Sequence, residues 1–160
     1  MSKIMTPAIK TAEKAKIDFS VHQYEHDSSV ASFGLEASEK LGVSAATVFK
    51  TLVASLDNGE LVVAIIPVDR KLNLKAVAKA SKAKKAKMAE PLEVERSTGY
   101  VLGGVSPLGQ KKRLKTLLDD SAKTQSTIYV SAGRRGLEIE LQPSDLLSLT
   151  NGQFVPLKAE

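Results

Sequence analysis

The chain of 160 residues has no cysteine, no tryptophan, two histidines and only 4% aromatic residues. Without cysteine it has no disulfide framework, no thiolate metal site and no thiol nucleophile of its own. His22 and His26 supply at most part of a metal site, and nothing nearby completes one, so no metal is expected. Long apolar runs are missing too. No stretch approaches the ~20 residues needed to cross a bilayer, and the N-terminal MSKIMTPAIK lacks a signal-peptide core, so the expected location is the cytoplasm with no membrane partner. The scarcity of aromatics argues against a surface that binds long single strands by serial base stacking.

What is present suits one globular domain over residues 1–160, with 42% hydrophobic and 26% charged residues. The formal charge is +5, and its distribution says more than its size. Lys71 to Lys87 holds seven lysines and no acid; Lys111, Lys112, Arg113 and Lys115 form a second cluster, and Arg134-Arg135 a third. Basic residues recurring in separate segments suit a polyanion, nucleic acid above all. An ordinary excess of solvated lysine explains them equally well.

Residue patterns predict an α+β chain with a mostly antiparallel sheet. Thr6-Pro7 reads as a cap and first helical residue, with Met5, Ala8, Ile9 and Ala12 on one face. Phe19 to Tyr24 reads as a strand; Ser32 caps a second helix that carries Phe33, Ala37 and Leu41 on one side and stops at Gly42. Val48–Leu56 and Leu61–Pro67 flank Asp57-Asn58-Gly59-Glu60, a hairpin signal. Asn73 caps a third helix with Lys75, Lys79 and Lys82 on a face beside Leu74, Val77 and Ala78, and Pro91 starts a fourth ending near Ser97. Further strands are expected at Lys115–Leu118, Thr127–Ser131, Leu137–Leu141 and Gln153–Pro156, with a helix over Pro143–Leu149.

The inventory of reactive groups is short. His22 and His26 flank Tyr24 and, at four residues along a strand, sit about 13 Å apart, too far to share a ligand. The glycine-rich run GGVSPLG is not a phosphate-binding Walker loop, because it lacks the four-residue gap and the Lys-Ser/Thr that follows. It can present backbone N–H groups to an oxyanion, or it can be a tight turn. The turn Ala132-Gly133-Arg134-Arg135-Gly136 offers the same two choices. Lys50 is the odd residue, a lysine on the strand face shared by Val48 and Leu52. It is either a fixed positive charge in a site or an edge lysine that snorkels to water.

TPAIK, HQYEHD, FGLEASEKLG, VFKTL, STGYVLGGVSPLGQKKR and IYVSAGRRGLEIEL follow one another at spacings that resemble the YbaK/EbsC family, in particular its YbaK-type Cys-tRNA(Pro) deacylases. The likeness runs from Met5 onward and leaves residues 1–4 as an extension. It implies a mixed, barrel-like sheet flanked by helices, and no cofactor. It equates Lys50 with the family's lysine, held to grip the terminal adenosine or its phosphate. Gly103 and Gly104 would offer N–H groups to the ester carbonyl, while Tyr24, Phe33, Thr51, Ser131 and Glu138 line the pocket. Glu138 stands where close relatives often have Asp or Ser.

The implied activity is trans-editing, the hydrolysis of cysteine mistakenly attached to tRNA(Pro). An aminoacyl ester is already activated, so positioning and carbonyl polarisation supply much of the acceleration. In the family the substrate's own thiol is proposed to attack the ester. Lys79, Lys82 and Lys85 would then meet acceptor-stem phosphates, prolyl-tRNA synthetase would join a ternary complex, and DNA is not an expected partner. A water-driven Ala- or Ser-tRNA deacylase of the same fold stays open, as does a non-catalytic tRNA- or synthetase-binding module.

Overall fold

The computed structural model describes residues 4–27 and 33–159. Thr6 caps α1 (Pro7–Ala15) by accepting the Ile9 N–H at 3.2 Å, and Ala8, Ile9 and Ala12 form its buried face. Met5 departs from the expected apolar stripe. It precedes the cap and is 39% exposed. β1 (Phe19–Gln23) and α2 (Phe33–Leu41) follow. Ser32, expected to cap α2, lies outside the described residues, as does the side chain of Phe33.

The hairpin is β2 (Phe49–Leu56) and β3 (Leu61–Pro67), paired from Phe49↔Pro67 to Ser55↔Leu61. α3 (Leu74–Ala80) is capped by Asn73, whose Oδ1 accepts the Ala76 N–H at 3.1 Å. Then come β4 (Ala86–Met88), α4 (Pro91–Thr98), β5 (Lys115–Asp119), β6 (Ile128–Arg134), β7 (Leu137–Leu141), α5 (Pro143–Thr150) and β8 (Gln153–Val155). Among the described residues no helix is long and apolar enough to cross a membrane.

The strands form two sheets, β1-β7-β6 and β4-β2-β3-β5-β8, which with the surrounding helices make the mixed, mostly antiparallel α+β arrangement that the sequence predicts. Pairing is antiparallel except for β3–β5 and β5–β8. β3 is buried on both faces: Val63 and Ile65 pack with α1 and the first sheet, whereas Val62, Ala64 and Ile66 pack with α3 and Leu157. Each such Ile contributes roughly 1.5–3 kcal/mol of burial, so β3 is the spine on which both halves are assembled.

Two expectations near the lysine-rich segment need correction. Lys82 does not share a helix face with Lys75 and Lys79, because α3 ends at Ala80 and Lys82 turns left-handed at φ 57°. Lys85 then precedes β4, a strand absent from the sequence reading. Lysine and alanine are weak strand formers, and the open edge of β2 at Ala54–Leu56 supplies the pairing that propensity does not.

Candidate functional site

The two sheets meet at a parallel bridge between Val48 and Tyr129 and then separate. Past the bridge, β2 and β6 splay apart and leave a cavity of about 230 Å³ between them. Its β2 wall carries Phe49, Lys50, Thr51 and Leu52; the other wall carries Ser131 of β6 and Glu138 of β7. Backbone alternation explains why this part of β2 faces a gap. The Val53 carbonyl accepts the Ala89 N–H at 3.0 Å on the outer edge, so with period two Thr51 aims its N–H and C=O the same way. β4 reaches back only to Ala54, leaving that edge uncovered.

Lys50 is half-buried. Burial draws its ammonium below the ordinary lysine range, while the charge of Asp69 pulls it back up. Thr51 Oγ1 is buried and has no hydrogen-bond partner among the described residues. On the facing sheet, Ser131, Glu138 and His22 form one cross-strand row, so their side chains share a face. Ser131 Oγ accepts the Gly133 N–H at 3.1 Å inside a bulge that shifts the register between Ser131 and Arg134. A bulge re-aims the strand, and here it brings Arg134 and Arg135 to the cavity. Glu138 is 7% exposed, and burial pushes its carboxyl up to about 8. Tyr24 also lines the cavity; burial, then the charges of Glu138 and Glu36, hold its hydroxyl protonated up to about 12.

The glycine-rich loop is a stapled lid over this gap. The Tyr100 hydroxyl donates to the Leu108 carbonyl at 2.6 Å, and the N–H groups of Lys111 and Lys112 close its base on Thr98 and Ser97. At its tip the Gly104 N–H donates to the Val101 carbonyl at 2.9 Å across a turn in which Gly103 has φ +88°. That corrects one expectation, because the Gly104 N–H is already committed to the turn. Gly104 is needed for closeness instead, since a Cβ there would stand 2.8 Å from Arg134 Cα. Gly103 lines the cavity, and among the described residues its N–H has no acceptor.

Of the expected pocket residues, Lys50, Gly103, Tyr24, Thr51, Ser131 and Glu138 therefore surround one cavity. Lys79, Lys82 and Lys85 do not. The Lys85 carbonyl binds the Asp57 N–H at the far end of β2, seven residues or roughly 23 Å along the strand from Lys50. The residue reading missed Leu52, Val68 and Leu102 as cavity walls. Leu102 left a signal, an apolar side chain 47% exposed in a loop otherwise read as a turn. The histidines are separate, as expected: His22 Nε2 lies 2.9 Å from Glu140, and His26 Nδ1 2.7 Å from Glu36. No histidine lines the cavity, so Ser131 has no partner of the kind that activates a serine nucleophile there.

Residues 27–149 match the family model described as an aminoacyl-tRNA editing domain. EbsC of Enterococcus faecalis, named as a candidate Cys-tRNA(Pro)/Cys-tRNA(Cys) deacylase, is 42% identical over 95% of this chain and 92% of its own. YwhH of Bacillus subtilis, an uncharacterised protein, is 32% identical over 69% of this chain and 70% of its own. A crystal structure described as a candidate trans-editing enzyme for prolyl tRNA synthetase has the same fold, with a TM-score of 0.81 at 22% identity over 98% of this chain and 100% of that one. The hypothetical protein APE2540 gives 0.86 at 21% over 96% of this chain and 100% of that one. With the model spanning most of the sequence and EbsC aligned nearly end to end, the chain belongs to the aminoacyl-tRNA editing domain family.

Proposed function

We propose that this protein is an aminoacyl-tRNA deacylase that removes cysteine from mischarged Cys-tRNA(Pro) in trans, in the cytoplasm and alongside prolyl-tRNA synthetase. The observation that carries the reading is the cavity itself, small, open to solvent, cationic at Lys50 and the Arg134–Arg135 rim, and lacking a histidine to activate a nucleophile. At about 230 Å³ it falls below the ~300 Å³ where drug-sized pockets begin, a scale suited to a small aminoacyl group. The relationship to EbsC supports the same substrate class.

In this reading Lys50 and the rim arginines hold the terminal nucleotide's phosphate, and the Gly103 N–H polarises the ester carbonyl. The substrate thiol attacks that carbonyl. A sulfur–carbon bond forms, the bond from the carbonyl to the ribose oxygen breaks, and the thiol proton ends on that oxygen. A strained thiolactone and free tRNA are released. Lys50 orients and stabilises rather than abstracting a proton.

The test is deacylation of Cys-, Ala-, Ser- and Pro-tRNA(Pro) by the wild type and by Lys50→Ala and Lys50→Arg. Release of cysteine alone is expected, with a loss of about 100-fold or more in Lys50→Ala and an intermediate loss in Lys50→Arg. Release of alanine would point to water as the nucleophile, and binding without release to a non-catalytic module. Full activity in Lys50→Ala would remove that residue from the mechanism.

A further inference from the structure

A carboxyl this little exposed is expected to have a donor, and among the described residues Glu138 has none. It lines the cavity, is 7% exposed, and forms no hydrogen bond or ion pair among the described residues. Polar groups this little exposed and without partners are rare, and the Glu138 oxygens are not sealed off but open onto the cavity, where a ligand can reach them. Lys50 does not provide one, because it stands on the β2 wall and the carboxylate that acts on its charge is Asp69, an exposed residue that does not line the cavity. The cavity thus carries a cation on one wall and an unpartnered carboxyl on the other, and folding pairs neither with the other. Such a site suits a ligand that is itself dipolar.

We infer that Glu138 receives the α-amino group of the aminoacyl substrate, so that the cavity reads the amino end of the ester while Lys50 and the arginine rim take its nucleotide end. The inference rests on the deacylase reading above. Its chemical logic is elimination: the phosphates and carbonyl of an aminoacylated RNA end bring no positive charge, and the side chain of cysteine brings none. The α-ammonium is the cation that every aminoacyl ester supplies. Its N–H groups would satisfy the Glu138 oxygens, and its charge would replace the solvent that burial removed. Tyr24 shares the pocket close enough for Glu138 to raise its hydroxyl's pKa, which leaves it a protonated neighbour rather than a competing charge. A site that hydrogen-bonds a substrate amine rejects analogues lacking it much more strongly than it rejects a change of one methylene.

The experiment compares Cys-tRNA(Pro) with 3-mercaptopropionyl-tRNA(Pro), which keeps the thiol and drops the amine, on the wild type and on Glu138→Gln. The wild type is expected to favour the cysteinyl ester by at least tenfold in kcat/KM, and Glu138→Gln to shrink that preference toward unity. Equal cleavage of both esters by the wild type overturns the inference, as does an equal loss on both in the variant. A wild type that cleaves neither removes the deacylase reading itself. Dissociation constants for cysteinyl and 3-mercaptopropionyl 3′-amide analogues of adenosine measure the same preference without turnover. An unchanged wild-type affinity on removing the amine also overturns it.

Discussion

Glu36 on α2 is 3% exposed and Glu138 on β7 is 7% exposed, yet their surroundings act on them in opposite directions. Burial pushes Glu36 upward, but the Asp27 N–H, His26 and Lys40 more than reverse it, and its carboxyl settles below the ordinary range. Its oxygens stand 2.7 Å from the Asp27 N–H, 2.7 Å from His26 Nδ1 and 3.1 Å from Lys40 Nζ. Lys40 also donates to the Glu25 carbonyl. Glu36 thereby ties α2 to the segment after β1 that carries Tyr24 into the cavity wall. Glu138 meets similar burial with no such partners among the described residues, and burial takes it up to about 8. The first carboxylate is completed by the fold and the second is left open by it. That difference separates a structural acid from one that awaits a ligand.

The sharpest way to break this comparison is to delete each carboxylate. Glu36→Ala removes the buried acceptor shared by the Asp27 N–H, His26 and Lys40, so urea unfolding at pH 7 should show a loss of about 3 kcal/mol. Glu138→Gln removes a group the fold already fails to satisfy, and its stability should stay within about 1 kcal/mol of wild type or rise. If the two substitutions cost the same, the distinction drawn from their partners is wrong.

Proton linkage sharpens the comparison along the pH axis. Glu138 is raised from 4.5 to about 8 on folding, so the native state binds more protons through that window and stability falls as pH rises from about 4.5 to 8. Glu36 is lowered, so its contribution is present above its unfolded value and is lost as pH falls toward its folded one. Each slope can reach about 1.4 kcal/mol per pH unit, the value for one proton. Urea midpoints taken from pH 4 to 9 should show a wild-type decline between about pH 4.5 and 8 that Glu138→Gln flattens. A variant curve parallel to wild type throughout would place the Glu138 carboxyl in contact with water.

Much of the scaffold was legible in the residues because local rules decided it. Thr6-Pro7, Asn73 and Gly59 each act at the position where a cap or turn requires them. Lys50 stood out because a charge interrupts an apolar strand face, and burial accounts for its oddity. What local pattern does not carry is tertiary choice. β4 exists because β2 has an uncovered edge, and the cavity exists because β2 and β6 diverge after Val48 and Tyr129. The Gly104 N–H was misjudged for a related reason: a glycine pair advertises a turn without saying which N–H the turn consumes. Glu36 drew no notice, since one acid in an amphipathic helix looks solvated until His26 and Lys40 close around it.

The smallest expected effects separate the basic rim from the distant lysines. Arg134 and Arg135 line the cavity, and Arg135 also donates to the Leu102 carbonyl at 3.1 Å, which anchors the glycine-rich lid to the arginine turn. Lys79, Lys82 and Lys85 are exposed at or beyond the end of α3, on the β4 side of the molecule. A terminal nucleotide in the cavity leaves those lysines roughly seven nucleotide steps away at ~3.4 Å each, within reach of the stem and beyond reach of the ester. Neutralising the three together should therefore weaken tRNA binding and flatten its dependence on salt, by up to about 0.9 in log–log slope per lost phosphate contact. It should leave kcat at saturating tRNA unchanged. Arg134→Gln, at the rim, should alter turnover as well as binding. If the triple variant keeps the wild-type salt slope, those lysines are ordinary solvated surface and the polyanion contact narrows to the cavity mouth.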